Sequence, residues 1–252
     1  MIKVSIIIPV LNSPEIVKRQ ILHFEKMPLP DDVELIIVDD GSDIPITTES
    51  KLPRIIYTND KRPWTSSIAR NTTAPLAKGE YIIFADCDHI ITKEIIDKVR
   101  NFNGDFMRFN RAFGVLDEEG NISQDLEVLR QYGLSDHRIK KYGTFLNPHR
   151  NQYATRKDFF INVMKGYDEN LVLTKPYPQR EDGNFSRRWD VLYEAGQVKD
   201  FDDLVGYEHR ENILMFPSGK YSESGDVDFN PFNLFDTTLT RKTRRNPYYH
   251  AK

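Results

Sequence analysis

The chain has 252 residues, a formal net charge of −3 and a sequence pI near 6.1, a balance that argues against a generic nucleic-acid binder. Its one cysteine, Cys87, leaves no internal disulfide and points to a reducing compartment, so a cytoplasmic protein is expected. No stretch reaches the roughly 20 apolar residues of a membrane span, and the opening MIKVSIIIPV reads as a first strand without a secretion signal.

Strand and helix signals alternate through the first half. KVSIIIPV, residues 3–10, is a buried-strand run. SPEIVKRQILHFEKM follows, with Ser13 as N-cap, Pro14 in the first helical position and Glu15 in the first turn; Pro28 and Pro30 end it. VELIIVDDGSD gives a second strand ending in acids and a glycine turn, and RIIYTND a short third one. TSSIARNTTAPLAKG reads as a helix capped near Thr65 or Ser66, with Pro75 as a bend and Gly79 as its stop. EYIIFADCDHI is the fourth strand, and TKEIIDKVRNF a helix capped by Thr92. This alternation predicts an α/β fold with a mostly parallel central sheet flanked by helices. Ligands on such sheets bind beyond the carboxyl ends of the strands, which places VDDGSD and DCDHI in one crevice.

The second half is less regular. GDFMRFNRAFGVL supplies one or two strands, SQDLEVLRQYGL a surface helix, and residues 157–164 a short helix. The last residues, 237–252, carry Arg241, Lys242, Arg244, Arg245 and Lys252 without apolar periodicity. They form a basic tail that is either a solvated terminus or an arm for an anionic acceptor or membrane surface. The organisation read from the sequence is thus residues 1–100 as one half of a single domain, 101–236 as the other half, and 237–252 as the tail.

Three acidic elements could carry chemistry. Side chains alternate along a strand, so Asp86 and Asp88 should point the same way at the end of YIIFADCD. Two carboxylates that close repel unless a cation or proton sits between them, and carboxylate oxygens suit Mg²⁺ or Mn²⁺. Asp39 and Asp40 are either turn acids ahead of Gly41 or acceptors for a base N–H or ribose hydroxyl. Glu181 and Asp182 either favour the dipole of a helix that begins nearby or take a proton from an acceptor hydroxyl. Neither GxGxxG nor GxxxxGK[ST] is present, so a phosphate-bearing ligand would need a metal to neutralise it.

Among the six histidines, His23 sits within a helix and His250 in the tail, both incidental. His137 and His149 occupy polar loops. His89 should point away from Asp88. His209 follows an apolar stretch and is either structural or a Mn²⁺ ligand.

The ordered set VSIIIPVLN, ELIIVDDGSD, SSIARNTTAPLAKGEYIIFADCDHI and REDGNFSRRW resembles the family 2 glycosyltransferases with the GT-A fold. It does so strongly over roughly residues 3–100 and more loosely over 150–210. The DCD version with a later histidine is most similar to bacterial chondroitin- and hyaluronan-polymerase-type domains and to polypeptide GalNAc-transferases. The resemblance implies a UDP-sugar donor, a Mn²⁺ or Mg²⁺ ion, and a glycan or glycoconjugate acceptor. It implies a nucleobase pocket at Pro9, Val10, Leu11 and Asp40 with Asp39 close by, and Arg70 near the nucleotide. Asp86 would face the ribose or a metal-bound water. Asp88 would hold the metal with His209 as a further ligand, and Asp182, beside Glu181, would act as catalytic base of an inverting transfer.

Two departures from the family stand out. Leu11 occupies a position where many members have an aromatic residue, and Trp64 could offer a stacking surface instead. The usual Gly-Gly-Phe-Asp segment reads MKGYDENL here, with Lys165 for the first glycine, at the sugar pocket. Competing readings are a nucleotidyltransferase, for which PVLNSPE lacks the Gly-rich basic loop, and a non-catalytic binding domain, against which both acid pairs stand. A nucleic-acid acceptor such as modified DNA, or peripheral membrane contact, would act through the basic tail. The sequence leaves the oligomeric state open.

Overall fold

The computed structural model describes residues 1–60, 66–132, 134, 136, 145–146, 152–173, 181–197 and 212–215. In chain order the first half runs β1 (Val4–Val10), α1 (Pro14–Lys26), β2 (Val33–Asp39), β3 (Pro53–Tyr57), α2 (Ser66–Thr73), a 3-10 turn (Ala74–Leu76), β4 (Tyr81–Phe84), β5 (His89–Ile90) and α3 (Lys93–Arg100). There follow β6 (Phe106–Arg108), β7 (Asn110–Phe113), β8 (Val115–Leu116), β9 (Ile122–Ser123) and α4 (Leu126–Gln131). The remainder is β10 (Phe145–Leu146), β11 (Tyr153–Arg156), a π-helical turn (Phe159–Val163), α5 (Asn170–Leu173), α6 (Glu181–Glu194) and β12 (Asn212–Met215).

The central sheet has six strands in the order β3-β2-β1-β4-β11-β6. The first four are parallel, while β11 is antiparallel to both β4 and β6. A four-stranded sheet, β10-β7-β12-β5, and the β8-β9 pair lie beside it. Every residue of β1 is buried because both faces of the sheet are covered. Val4, Ile6, Ile8 and Val10 enter a core built with Ile16, Val17, Ile21 and Phe24 of α1 and Ile95, Ile96 and Val99 of α3. Ile7 enters the opposite core, with Ala69 of α2, Phe159 and Phe160 of the π turn, and Phe185 and Trp189 of α6. Each such side chain contributes about 1.5–3 kcal/mol on burial, so a one-residue slip of β1 would exchange the two layers and lose both.

Local chemistry sets the boundaries. Pro14 opens α1 as expected, but the Ser13 hydroxyl donates to the Leu11 carbonyl at 2.9 Å instead of capping the helix. The helix after β3 stops at Thr73, and Pro75 marks the 3-10 turn. Gly79 does not end that helix as anticipated. It lies against β1, where an added Cβ would meet the Ser5 nitrogen at 2.5 Å, and its N–H donates to the Ser5 hydroxyl at 2.9 Å. GDFMRFNRAFGVL yields three strands (β6, β7, β8), one more than the sequence predicted. Among the described residues, no helix is long and apolar enough to cross a membrane. The tail at 237–252 lies outside the described residues.

Candidate active site

The parallel strands β1, β2 and β4 deliver their carboxyl ends side by side. Val10 pairs with Asp39 in the β1–β2 register, and the Asp40 N–H donates to the Val10 carbonyl at 2.8 Å. The Ala85 N–H donates to the Ile7 carbonyl at 3.2 Å. Pro9, Val10, half-buried Leu11, Asp39 and Asp40 therefore share one sheet edge with the acid turn that follows β4. Two loops at this edge are tied together through Asn12, which sits at φ 48°. Its N–H donates to the Ser42 hydroxyl at 2.9 Å, its Nδ2 donates to Asp43 Oδ2 at 2.9 Å, and its Oδ1 accepts the Asp43 N–H at 2.6 Å. Asp39 is spent on the loop itself: Oδ1 accepts the Ser42 N–H at 2.7 Å and Oδ2 the Ile46 N–H at 2.9 Å. Asp40 accepts the Thr58 hydroxyl at 3.4 Å.

The fourth strand does not run through DCD. It ends at Phe84, and residues 86–89 form a turn closed by the His89 N–H donating to the Asp86 carbonyl at 3.0 Å. Strand alternation therefore does not apply to the acids, and His89 does not point away from them: its Nε2 lies 3.7 Å from Asp88 Oδ1. One ligand atom each from Asp86, Asp88 and His89 falls within 4.8 Å of the others. The turn is held from three sides. Gln20 of α1 donates through Nε2 to the carbonyls of Cys87 at 3.1 Å and His89 at 2.7 Å. Arg70 of α2, fully buried, forms an ion pair with Asp86 Oδ1. Gln152, just before β11, meets the ring of His89. The two carboxylates, at the mouth of a parallel sheet, offer oxygen donors of the kind that fit Mn²⁺ or Mg²⁺.

A second group of contacts joins this turn to α6, the helix that carries Glu181 and Asp182. The Arg70 guanidinium lies 5.7 Å from the Tyr167 ring centroid, and Tyr167 stacks on Phe185 of α6 at 4.5 Å. Asn71 grips the backbone of Tyr167, donating to its carbonyl at 2.8 Å and accepting its N–H at 2.8 Å. From α6, Arg188 donates to the carbonyls of Met164 at 2.5 Å and Gly166 at 2.6 Å. Burial draws the Arg188 pKa below its usual value, opposed by the nearby Asp168 charge. Lys165, at φ 59°, and Gly166, at φ 62°, are consecutive left-handed residues, a backbone that glycine adopts without strain and lysine rarely does. Glu181 is buried at the start of α6, and Asp182 lies in its first turn. His209, expected as a metal ligand, and Trp64, expected as a stacking surface, lie outside the described residues.

Sequence reasoning overlooked Gln20, Gln152 and the place of His89 in the cluster. A signal existed for Gln20, a polar residue in the apolar stripe Ile16–Gln20–Phe24 at helical spacing. Gln152 carries none, because its link to the turn comes from the pairing of β11 with β4.

Comparison with known proteins agrees with this geometry. Residues 5–105 match the model of Glycosyl transferase family 2. A poly(ribitol-phosphate) beta-glucosyltransferase of Bacillus spizizenii is 32% identical over 111 residues, covering 40% of this chain and 17% of that protein. The crystal structure of S. aureus TarS superposes with a TM-score of 0.55 at 15% identity, covering 99% of this chain and 41% of that one. TarS 1-349 in complex with UDP gives 0.53 at 15% identity, covering 99% and 68%. At that identity the likeness is one of fold, of the GT-A type. The chain spans under a fifth of the curated relative's length. The segment that builds the acid turn lies within residues 5–105, the part of the chain that matches the Glycosyl transferase family 2 model.

Proposed function

We propose that the protein transfers a sugar from a UDP-sugar to an acceptor hydroxyl, with inversion, in a reaction that needs Mn²⁺ or Mg²⁺. The observation that carries this reading is the Asp86–Asp88 turn at the carboxyl end of β4, inside a family 2 segment. UDP in the TarS 1-349 complex supports the choice of donor, and the name of the Bacillus relative supports a β-linked product on a glycan-type, phosphate-bearing polymer. Asp86 and Asp88 would hold the ion, with His209 as a further ligand. When bound, the ion acts as a Lewis acid toward the departing diphosphate.

The protein's own residues do the rest in this reading. Pro9, Val10, Leu11 and Asp40 shape the base pocket, Asp39 folds its loop, and Arg70 sets the Asp86 carboxylate. Asp182, beside Glu181 in the first turn of α6, removes the acceptor proton. Residues 1–100 serve the donor and 101–236 the acceptor, and the basic tail draws in an anionic acceptor. The lone cysteine is consistent with work in the cytoplasm. The test is a pair of variants assayed for UDP binding and for transfer from UDP-glucose and UDP-GlcNAc. Asp182→Asn retains UDP binding and loses transfer, while Asp88→Asn loses metal-dependent UDP binding. A near wild-type transfer rate in Asp182→Asn would remove that residue as base.

A further inference from the structure

We infer that His89 is a positioning residue that clasps the Asp86–Asp88 turn and is not itself an ion ligand, although it lies in the ligand cluster. This rests on the reading that the turn holds a divalent ion. His89 is 3% exposed and both its ring nitrogens are engaged within the fold. Nδ1 accepts the Asp86 N–H at 2.9 Å, so it carries no proton and its lone pair is used. Nε2, which must then carry the ring proton, faces the side-chain amide of Gln152, which is fully buried. The two ends of an amide are alike in outline, and turning Oε1 to the ring makes it the acceptor for Nε2–H. The outcome is a neutral imidazole with its proton on Nε2 and no lone pair left for a metal.

The clasp explains the shape of the turn. The Asp86 N–H to Nδ1 bond and the His89 N–H to Asp86 carbonyl bond close the turn from both ends. Gln152 then ties the ring to β11, whose first residue, Tyr153, pairs with Phe84, the last residue of β4. The carboxylates of Asp86 and Asp88 are thereby presented together on a turn that cannot open without leaving the buried amide of Gln152 unpaired. Partners that orient an ion site in this way typically change its affinity by about 10–100-fold when removed.

The tests separate the clasp from ligation. In ¹⁵N-labelled protein, the ring of His89 is expected to carry its proton on Nε2 alone, and to keep it there when Mg²⁺ and UDP are added. Loss of that proton on adding Mg²⁺, a ring protonated on both nitrogens, or a directly bound His89 nitrogen in pulsed EPR of the Mn²⁺ complex would overturn the inference. Gln152→Leu removes no ligand, yet should weaken Mn²⁺ binding about tenfold or more. If His89 ligates through Nε2, freeing that nitrogen leaves Mn²⁺ affinity unchanged or raises it. Absence of any Mn²⁺ binding by the wild-type protein would overturn the ion-site reading itself, and the tautomer in metal-free protein would still decide whether His89 clasps the turn.

Discussion

Replacing Arg70 tests how the acid turn is supported. The residue is fully buried, and its guanidinium pairs with an Asp86 side chain that is 33% exposed. Removing one partner of a fully buried ion pair costs about 3–5 kcal/mol, because the other charge is left uncompensated. Water reaches Asp86 in part, so about 2–3 kcal/mol is expected for Arg70→Met, which fills most of the volume without the charge. At roughly 2–4 °C per kcal/mol for a chain of this size, the melting temperature should fall by about 4–12 °C. Arg70→Lys should recover only part of the loss, since an ammonium lacks the planar fork and its contact over Tyr167. Saturating Mn²⁺ should narrow the gap between variant and wild type, because the cation supplies the positive charge that Asp86 has lost. Calorimetry with and without Mn²⁺ reads both effects. A Met variant that melts within about 1 °C of wild type would refute the view that Arg70 holds Asp86.

Two further perturbations follow from other parts of the fold. His23 of α1 is buried, and burial lowers its pKa despite the carbonyls of Ile91 and Gly120. The unfolded chain then binds the proton more readily, so its contribution is intact above about pH 6.5 and is lost as pH falls below that, by at most about 1.4 kcal/mol per pH unit. Urea midpoints of wild type and His23→Gln should converge on acidification over this window, and parallel profiles would contradict the assignment. Arg188→Ala removes the two bonds to the Met164 and Gly166 carbonyls and should cost about 2–3 kcal/mol in urea unfolding. Amide exchange should accelerate at Gly166 and Tyr167, and unchanged exchange there would show that α6 does not hold this loop.

The parallel half of the fold was legible because its signals are local. SIIIPV and LIIV read as buried strands, and Pro14 and the paired prolines bracket α1. Asp86 and Asp88 do lie close together, but not for the reason that strand alternation gives. Alternation along a strand brings Asp86 and Asp88 together only if β4 continues, yet it stops at Phe84, and a turn brings them together with His89. The apolar run carries no mark of where the last ladder bond falls, so the orientation of His89 was misread. Gly79 was read as a helix stop because glycine serves both termination and close approach, and the nearness of Ser5 comes from a residue 74 positions away. His23 has a structural part that its place in a helix does not announce: its Nε2 donates to the Ile91 carbonyl, a contact between α1 and the segment after β5. The antiparallel insertion of β11 between β4 and β6 was equally hidden, since a short strand shows no partner in its own residues.

The most direct measurement is diffraction from crystals grown with UDP and Mn²⁺, collected at the manganese edge. The account predicts an anomalous peak on the carboxylates of Asp86 and Asp88, bridged to the UDP diphosphate, with uracil against Pro9–Leu11 and Asp40. UDP bound away from the carboxyl ends of β1, β2 and β4, or no manganese at Asp88 with the nucleotide in place, would contradict it.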